Sequence, residues 1–384
     1  MRVLFSCTAG DGHFYPLVPL AAALQEQGHE VAFAMARAYG QRITASGFSW
    51  FRAGIEPDEL DARFGACWDD ERADLLPLAE QWSWGVSRRF AAGDAPDRVP
   101  DLLAVAQSWC PDLIVFERCD FAAPVVAAAT GVPSVHMALG RMLPVPSYDQ
   151  SAVFVAPLWA AVGLDTPPLC GMYAGTYVDI CPARLQPDCR PPASRVLPMR
   201  PTSPPVSAPP PTWLAALPNR PNVYVTLGTM FNDLQRFRVV LDALAEVDCN
   251  VIATIGRDLQ PGDLEPVPAN AVVEQFIPQA LLLPRMDVAV MHGGSGSMLA
   301  ALAHGVPLVM LPGGADQFGN AAACLESGVP RVLMPGHVEP ERVRREVEAV
   351  LGDTAFRRKA EAMGDDIAAL PSPAEVARML TSLP

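Results

Sequence analysis

Several short stretches of this 384-residue chain carry side chains whose type and spacing could do chemistry. The first is Thr8-Ala-Gly-Asp-Gly-His13-Phe-Tyr-Pro16, which directly follows an apolar run at residues 3–6. Gly10 and Gly12 permit a tight turn and the close approach of another group, and Pro16 suits the first turn of a following helix. His13 is thereby held at the carboxyl end of a strand as a candidate general base, although a lone histidine is as often structural. Glu117 ends the apolar run 113–116 with a carboxylate at the same rim. A carboxylate beside an imidazole fixes its tautomer and stabilises the cation formed when it takes a proton. Asp120 could replace Glu117 in that role, or simply cap the next helix.

A second group lies in the other half of the chain. Met291-His292-Gly293-Gly294-Ser295-Gly296-Ser297 follows an apolar strand and opens a helix. The glycines let the backbone come close, and free amides at a helix N-terminus, reinforced by the helix dipole, suit a diphosphate. Ser295 and Ser297 add hydroxyls. Asp316 and Gln317, in Gly314-Ala-Asp-Gln-Phe-Gly-Asn320, could meet sugar hydroxyls or serve as a helix cap. Gly228-Thr229 and Phe276-Ile277-Pro278-Gln279 end two further strands and offer a phosphate contact and an aromatic face for a base. Each alone is ordinary turn chemistry; several at the strand ends of one sheet point to a binding site.

The elements that must position these groups alternate. Strands are expected at residues 3–6, 31–35, 113–116 and 132–137, with helices at 17–27 and 121–130 between them. Prolines crowd residues 182–221, where neither helix nor central strand can be sustained, and this reads as an interdomain linker. The alternation then resumes, with strands at 223–227, 251–255, 272–276, 288–291 and 308–311 and helices to about residue 246 and at 297–304. Strand, helix, strand in this order predicts α/β architecture: two doubly wound, Rossmann-like parallel-sheet domains, residues 1–205 and 206–384, facing across a cleft, with the last helix able to pack back on the first.

Composition narrows the function. A formal charge of -14 and a single lysine, Lys359, argue against nucleic-acid binding. The nine cysteines show no metal-ligand spacing and read as free thiols in a cytoplasmic protein. No apolar stretch is long enough to span a bilayer, and the start of the chain reads as a strand rather than a signal peptide.

The combination of GxGHxxP, IPQ, HGGSGS and DQFGN resembles the GT-B glycosyltransferases of the UDP-glucuronosyltransferase-like family, above all the actinobacterial antibiotic and macrolide enzymes. The resemblance runs over nearly the whole chain. It implies that the first domain binds the acceptor and the second a TDP- or UDP-sugar as co-substrate, with no cofactor or metal. It implies a base at His13 partnered by Glu117, where most members carry aspartate. It also implies that Thr229, His292, Gly294 and Ser297 hold the diphosphate, Asp316 and Gln317 hold the sugar, and Phe276 stacks on the base where tryptophan is common. The reaction implied inverts the anomeric carbon and moves a sugar, of deoxysugar type, to a small apolar natural-product aglycone. Gly12, Phe14, Trp68, Trp82 and His136 are the acceptor-lining candidates; the tryptophans, with Trp84, Phe64 and Phe90, form an aromatic cluster that could instead fill the core, and His136, at the end of its strand, reads either as cleft-lining or, in preference, as a core histidine. A homodimer is left open. A sugar-nucleotide epimerase of the same architecture and a non-catalytic sugar-nucleotide binder are the rival readings.

Overall fold

The computed structural model describes residues 1–382 apart from 72, 187–189, 207, 229–232 and 258. Short runs of apolar residues become strands covered on both faces, as parallel sheets require. β1 (Arg2–Ser6), β2 (Glu30–Met35), β3 (Ser49–Arg52), β4 (Leu113–Glu117), β5 (Ser134–Met137), β6 (Thr176–Asp179) and β7 (Arg195–Pro198) form one sheet in the order β3-β2-β1-β4-β5-β6-β7. β8 (Asn222–Thr226), β9 (Asn250–Thr254), β10 (Ala271–Glu274), β11 (Val288–Met291), β12 (Leu308–Met310) and β13 (Pro330–Val332) form a second, ordered β10-β9-β8-β11-β12-β13. Every pairing in both sheets is parallel. The strand order reverses direction between β1 and β4 in one sheet and between β8 and β11 in the other. Loops at those carboxyl ends part to opposite faces and leave a crevice, the usual ligand position in such sheets.

Each sheet lies in its own compact unit. The first comprises Met1–Cys181, Asp188–Pro204 and Leu370–Pro384; the second comprises Pro182–Pro187 and Pro205–Ala369. Within the proline-rich stretch, β7 takes an edge position and ends at Pro198, where the missing N–H costs no central ladder bond. The last helix, Pro373–Thr381, belongs to the first unit and packs on the helix Val18–Glu26. A capping box between Ser372 and Glu375 starts it, and Gln27 donates to the Ala374 carbonyl at 2.8 Å.

One stretch of the first unit departs from regular helix. Helices Pro57–Asp70 and Leu78–Val86 precede a π-helical segment, Ser87–Asp94, which runs directly into the helix Ala95–Trp109. Asp94 and Arg98, both fully buried, bridge this junction: Arg98 Nε donates to Asp94 Oδ2 at 2.8 Å, and Nη1 donates to the Ala34 carbonyl of β2 at 3.3 Å. Gly54, at φ +84°, abuts the pair so closely that a Cβ there would come within 2.9 Å of Arg98 Nη2. A buried charge without its partner cannot regain its hydration. Arg98→Met is therefore expected to destabilise the protein by about 3–5 kcal/mol in chemical unfolding, and adding Asp94→Leu should recover part of that loss. Equal stability of the single variant and the parent would show that the pair does not hold the junction.

Candidate active site

β1 and β4 pair with Ser6 opposite Phe116, so the residues that follow both strands converge at the reversal point. There His13 Nδ1 lies 3.0 Å from Glu117 Oε1 and 3.0 Å from Thr8 Oγ1. Thr8 donates its backbone N–H (3.2 Å) and its hydroxyl (3.0 Å) to Glu117 Oε1, and the Cys119 N–H donates to Oε2 at 2.7 Å. Burial alone would push the Glu117 carboxyl up, but His13 and the N–H groups of Cys119 and Thr8 outweigh it and hold the pKa at about 2. Glu117 is thus an anion enclosed by donors. Such a neighbour places the imidazole proton on Nδ1 and leaves Nε2 free to accept another. Gly10 is needed for the ring to fit, since a Cβ there would meet His13 Cδ2 at 2.7 Å.

Asp120, the alternative partner, has another task. Its Oδ2 accepts from the Ser6 hydroxyl and its Oδ1 from the N–H groups of Ala122 (3.1 Å) and Ala123 (3.0 Å), so it ties the end of β1 to the start of the helix Ala123–Thr130. Burial pushes its carboxyl up, against the opposing pull of Arg98 and Ser6. Ligand atoms of His13, Glu117 and Cys119 lie within 4.8 Å of one another, close enough to hold a metal ion. The hydrogen bonds above already engage both Glu117 oxygens.

Two acceptor candidates are core residues. Phe14 is fully buried against Phe33 and Tyr39. His136 is stacked on Phe116 with ring centroids 5.3 Å apart and enclosed edgewise by Tyr173 and Tyr177. Of the two readings of His136, one residue from the end of β5, the preferred core position is the one observed: the side chain turns inward among aromatics, and burial drives its pKa down to about 3. Gly12 is exposed. Trp68 and Trp82 are part-buried: Trp68 lies edge-on to Trp84 at 5.3 Å, and the Arg118 guanidinium sits 5.9 Å above Trp82.

In the second unit, His292 follows β11 and its imidazole fills the space beside two glycines. A Cβ on Gly228 would lie 2.7 Å from His292 Nε2, and one on Gly294 would lie 2.6 Å from it. Burial pushes the His292 pKa down, so the ring is a neutral wedge at ordinary pH. The helix Ser295–Ala303 begins behind it without a side-chain cap, leaving its first amides unclaimed by side chains among the described residues. Gly293 adopts φ +87°, which glycine alone takes without strain. Ser295 donates to Asp316 Oδ2 at 2.6 Å, and Asn320 Nδ2 donates to the Gly293 carbonyl and to Ser295 Oγ. Gln279 Nε2 donates to Ser297 Oγ at 2.9 Å. Gln317 is buried and its side-chain oxygen accepts from the Gly313 and Gly314 N–H groups, so that oxygen braces the loop. Ile277 is nearly buried, while Phe276 is half exposed with the Arg257 guanidinium 4.3 Å from its centroid. Gly296 opens the helix beside Ser297, and Thr229 lies outside the described residues. Thr8 and Asn320 were legible only as members of quoted motifs; their hydrogen bonds make each a hub.

Two models of erythromycin biosynthesis protein CIII-like domains match the chain, the N-terminal one over residues 22–228 and the C-terminal one over 238–383. The chain belongs to this family. It is a glycosyltransferase with the GT-B fold. The 3-alpha-mycarosylerythronolide B desosaminyl transferase of Saccharopolyspora erythraea is 29% identical, covering 98% of this chain and 96% of its own. The L-demethylnoviosyl transferase of Streptomyces niveus is 31% identical, covering 100% and 98%. The crystal structure of the glycosyltransferase VinC in complex with dTDP superposes with a TM-score of 0.81 at 26% identity, covering 99% of this chain and 98% of that one.

The core position of His136 in this glycosyltransferase has a measurable consequence. With a folded pKa of about 3 against about 6.5 unfolded, the unfolded chain binds the extra proton between those values. The stability His136 permits is complete above about pH 6.5 and falls by up to about 1.4 kcal/mol per pH unit as pH drops toward 3. His136→Phe should flatten the acid side of a stability–pH curve; an unchanged slope would contradict neutral burial.

Proposed function

We propose that the chain is an inverting, metal-independent glycosyltransferase of antibiotic biosynthesis that moves a deoxysugar from a TDP-sugar to a hydroxyl of a small, largely apolar aglycone. The carrying observation is the His13–Glu117 contact at the reversal point of the first sheet. The acceptor hydroxyl gives its proton to His13 Nε2 while its oxygen forms a bond to the anomeric carbon, and the bond from that carbon to the diphosphate breaks. Glu117 stabilises the imidazolium without taking the proton. A single displacement inverts the carbon and needs no carboxylate nucleophile.

The second unit supplies the donor half of this reading. The open amides of the helix Ser295–Ala303, with its dipole and the Ser297 hydroxyl, suit the negative charge that grows on the leaving diphosphate. These groups replace the metal ion that other sugar transfers use. Asp316, held by Ser295, faces the sugar, and exposed Phe276 offers a face to the base. The dTDP bound by VinC favours a thymidine donor over uridine. The relatives' names, with desosaminyl and demethylnoviosyl groups and an erythronolide acceptor, favour a deoxysugar and an apolar acceptor. Part-buried Trp68 and Trp82 and exposed Gly12 in the first unit are consistent with such an acceptor.

His13→Ala should stay folded and bind TDP like the parent, while transfer falls by about 10²- to 10⁴-fold. Glu117→Gln should lose less, and any loss in Asp120→Asn should appear as reduced stability. Near-parental turnover by His13→Ala would remove the base. Ser297→Ala should raise the Kd for TDP measured by calorimetry, with acceptor binding unchanged; the reverse pattern would misplace the donor site. Full activity after treatment with a chelator is expected, and loss restored by a divalent ion would overturn the metal-free mechanism.

A further inference from the structure

The hydrogen bonds at Nδ1 fix one atom of the His13 ring but leave the ring free to swing about that atom. A second contact is needed to aim Nε2. The Phe90 ring supplies it: the centroids are 5.3 Å apart at an interplanar angle of 52°, and Phe90 is 6% exposed. With the Gly10 backbone also packed against the imidazole, the ring has little room to turn.

Phe90 reaches this place because of the π-helical segment. Helix Leu78–Val86 runs on into helix Ala95–Trp109, where Pro96 and Pro100 lack N–H groups, Pro96 the one that a regular α-helical bond back into Ser87–Asp94 would need, and that segment takes the wider turn. The π form is rare and is found frequently at functional sites. Here the segment is held from several directions. Asp94 is locked to buried Arg98, Ser87 Oγ donates to the Trp84 carbonyl at 2.8 Å, and Arg89 pairs with Asp61 at 2.5 Å. The Arg89 guanidinium also lies 5.9 Å from the Phe90 centroid.

We propose that Phe90 is a positioning residue for the transfer step: it holds the His13 imidazole with Nδ1 on Glu117 and Nε2 toward the acceptor hydroxyl. This rests on His13 being the base. A misaimed base loses rate without losing donor affinity, because orientation enters the transition state and not the binding of the nucleotide sugar.

The test is a double-mutant cycle read in kcat and donor KM with a TDP-sugar the parent accepts, on Phe90→Ala, Phe90→Leu and Phe90→Tyr in the parent and in His13→Ala. Phe90→Ala should lower kcat by about 10-fold with donor KM unchanged, and Phe90→Tyr should restore it to within about twofold of the parent. In the His13→Ala background Phe90→Ala should cost nothing further, since no ring remains to aim. If Phe90→Ala does not fold, Phe90→Leu carries the same comparison with an expected loss of about threefold. Parental kcat in Phe90→Ala, or the same loss with and without His13, overturns the positioning role and makes Phe90 a packing or acceptor-wall residue. An active His13→Ala would instead remove the base itself, a separate failure seen before Phe90 is touched.

Discussion

A carboxylate with no solvent exposure sits at the reversal point of the first sheet, and the site is built around keeping it charged. Stripping Glu117 of water would cost several kcal/mol unless hydrogen bonds and a facing imidazole replaced the lost hydration. Thr8 and the Cys119 amide supply the hydrogen bonds, and His13 supplies the partner. Those groups can reach it only because β1 and β4 are neighbours whose following loops diverge. Asp120 and Arg98 lie one layer behind, fastening β1, β2 and the helical segment that carries Phe90. The dyad is thus a property of the strand order as much as of its two residues.

The second sheet uses the same reversal with opposite electrostatics. Instead of an enclosed anion it presents helix amides that no side chain caps among the described residues, and His292, packed against Gly294, has its pKa lowered by burial. Gly228 and Gly294 are fixed by the bulk of that ring, and Gly293 by its backbone angle. One half of the protein can therefore stabilise a new cation on a base, while the other suits a leaving anion.

Much of this was legible in the sequence, and the limits have physical causes. Strands such as β1, β4, β8 and β11 read clearly because strands covered on both faces are unbroken apolar runs ended by polar residues. β3, β6, β7 and β13 were not read: they are short, stand at or near the sheet edge, and β7 lies among prolines. The motif HGGSGS placed the second helix N-terminus to within two residues. Spacing favoured Glu117, the last residue of β4, without excluding Asp120 three residues later, because only side-chain direction separates their roles. The same limit hid the burial of Phe14 and left two readings of His136 open, of which the preferred core one is observed. The π-helical segment was not read: Pro96 and Pro100 signal a break in regular helix after it, but its contacts from Arg89 to Asp61 and, through Arg98, to the Ala34 carbonyl join residues far apart in the sequence.

The central claim is that an acceptor hydroxyl, deprotonated at His13, displaces the nucleoside diphosphate in one step. The anomeric configuration of the product, read from the proton coupling at the sugar's anomeric carbon against that of the donor, tests it most directly. One displacement predicts inverted configuration and one TDP released for each acceptor glycosylated. Retained configuration, or TDP released at the same rate without any acceptor, would contradict it.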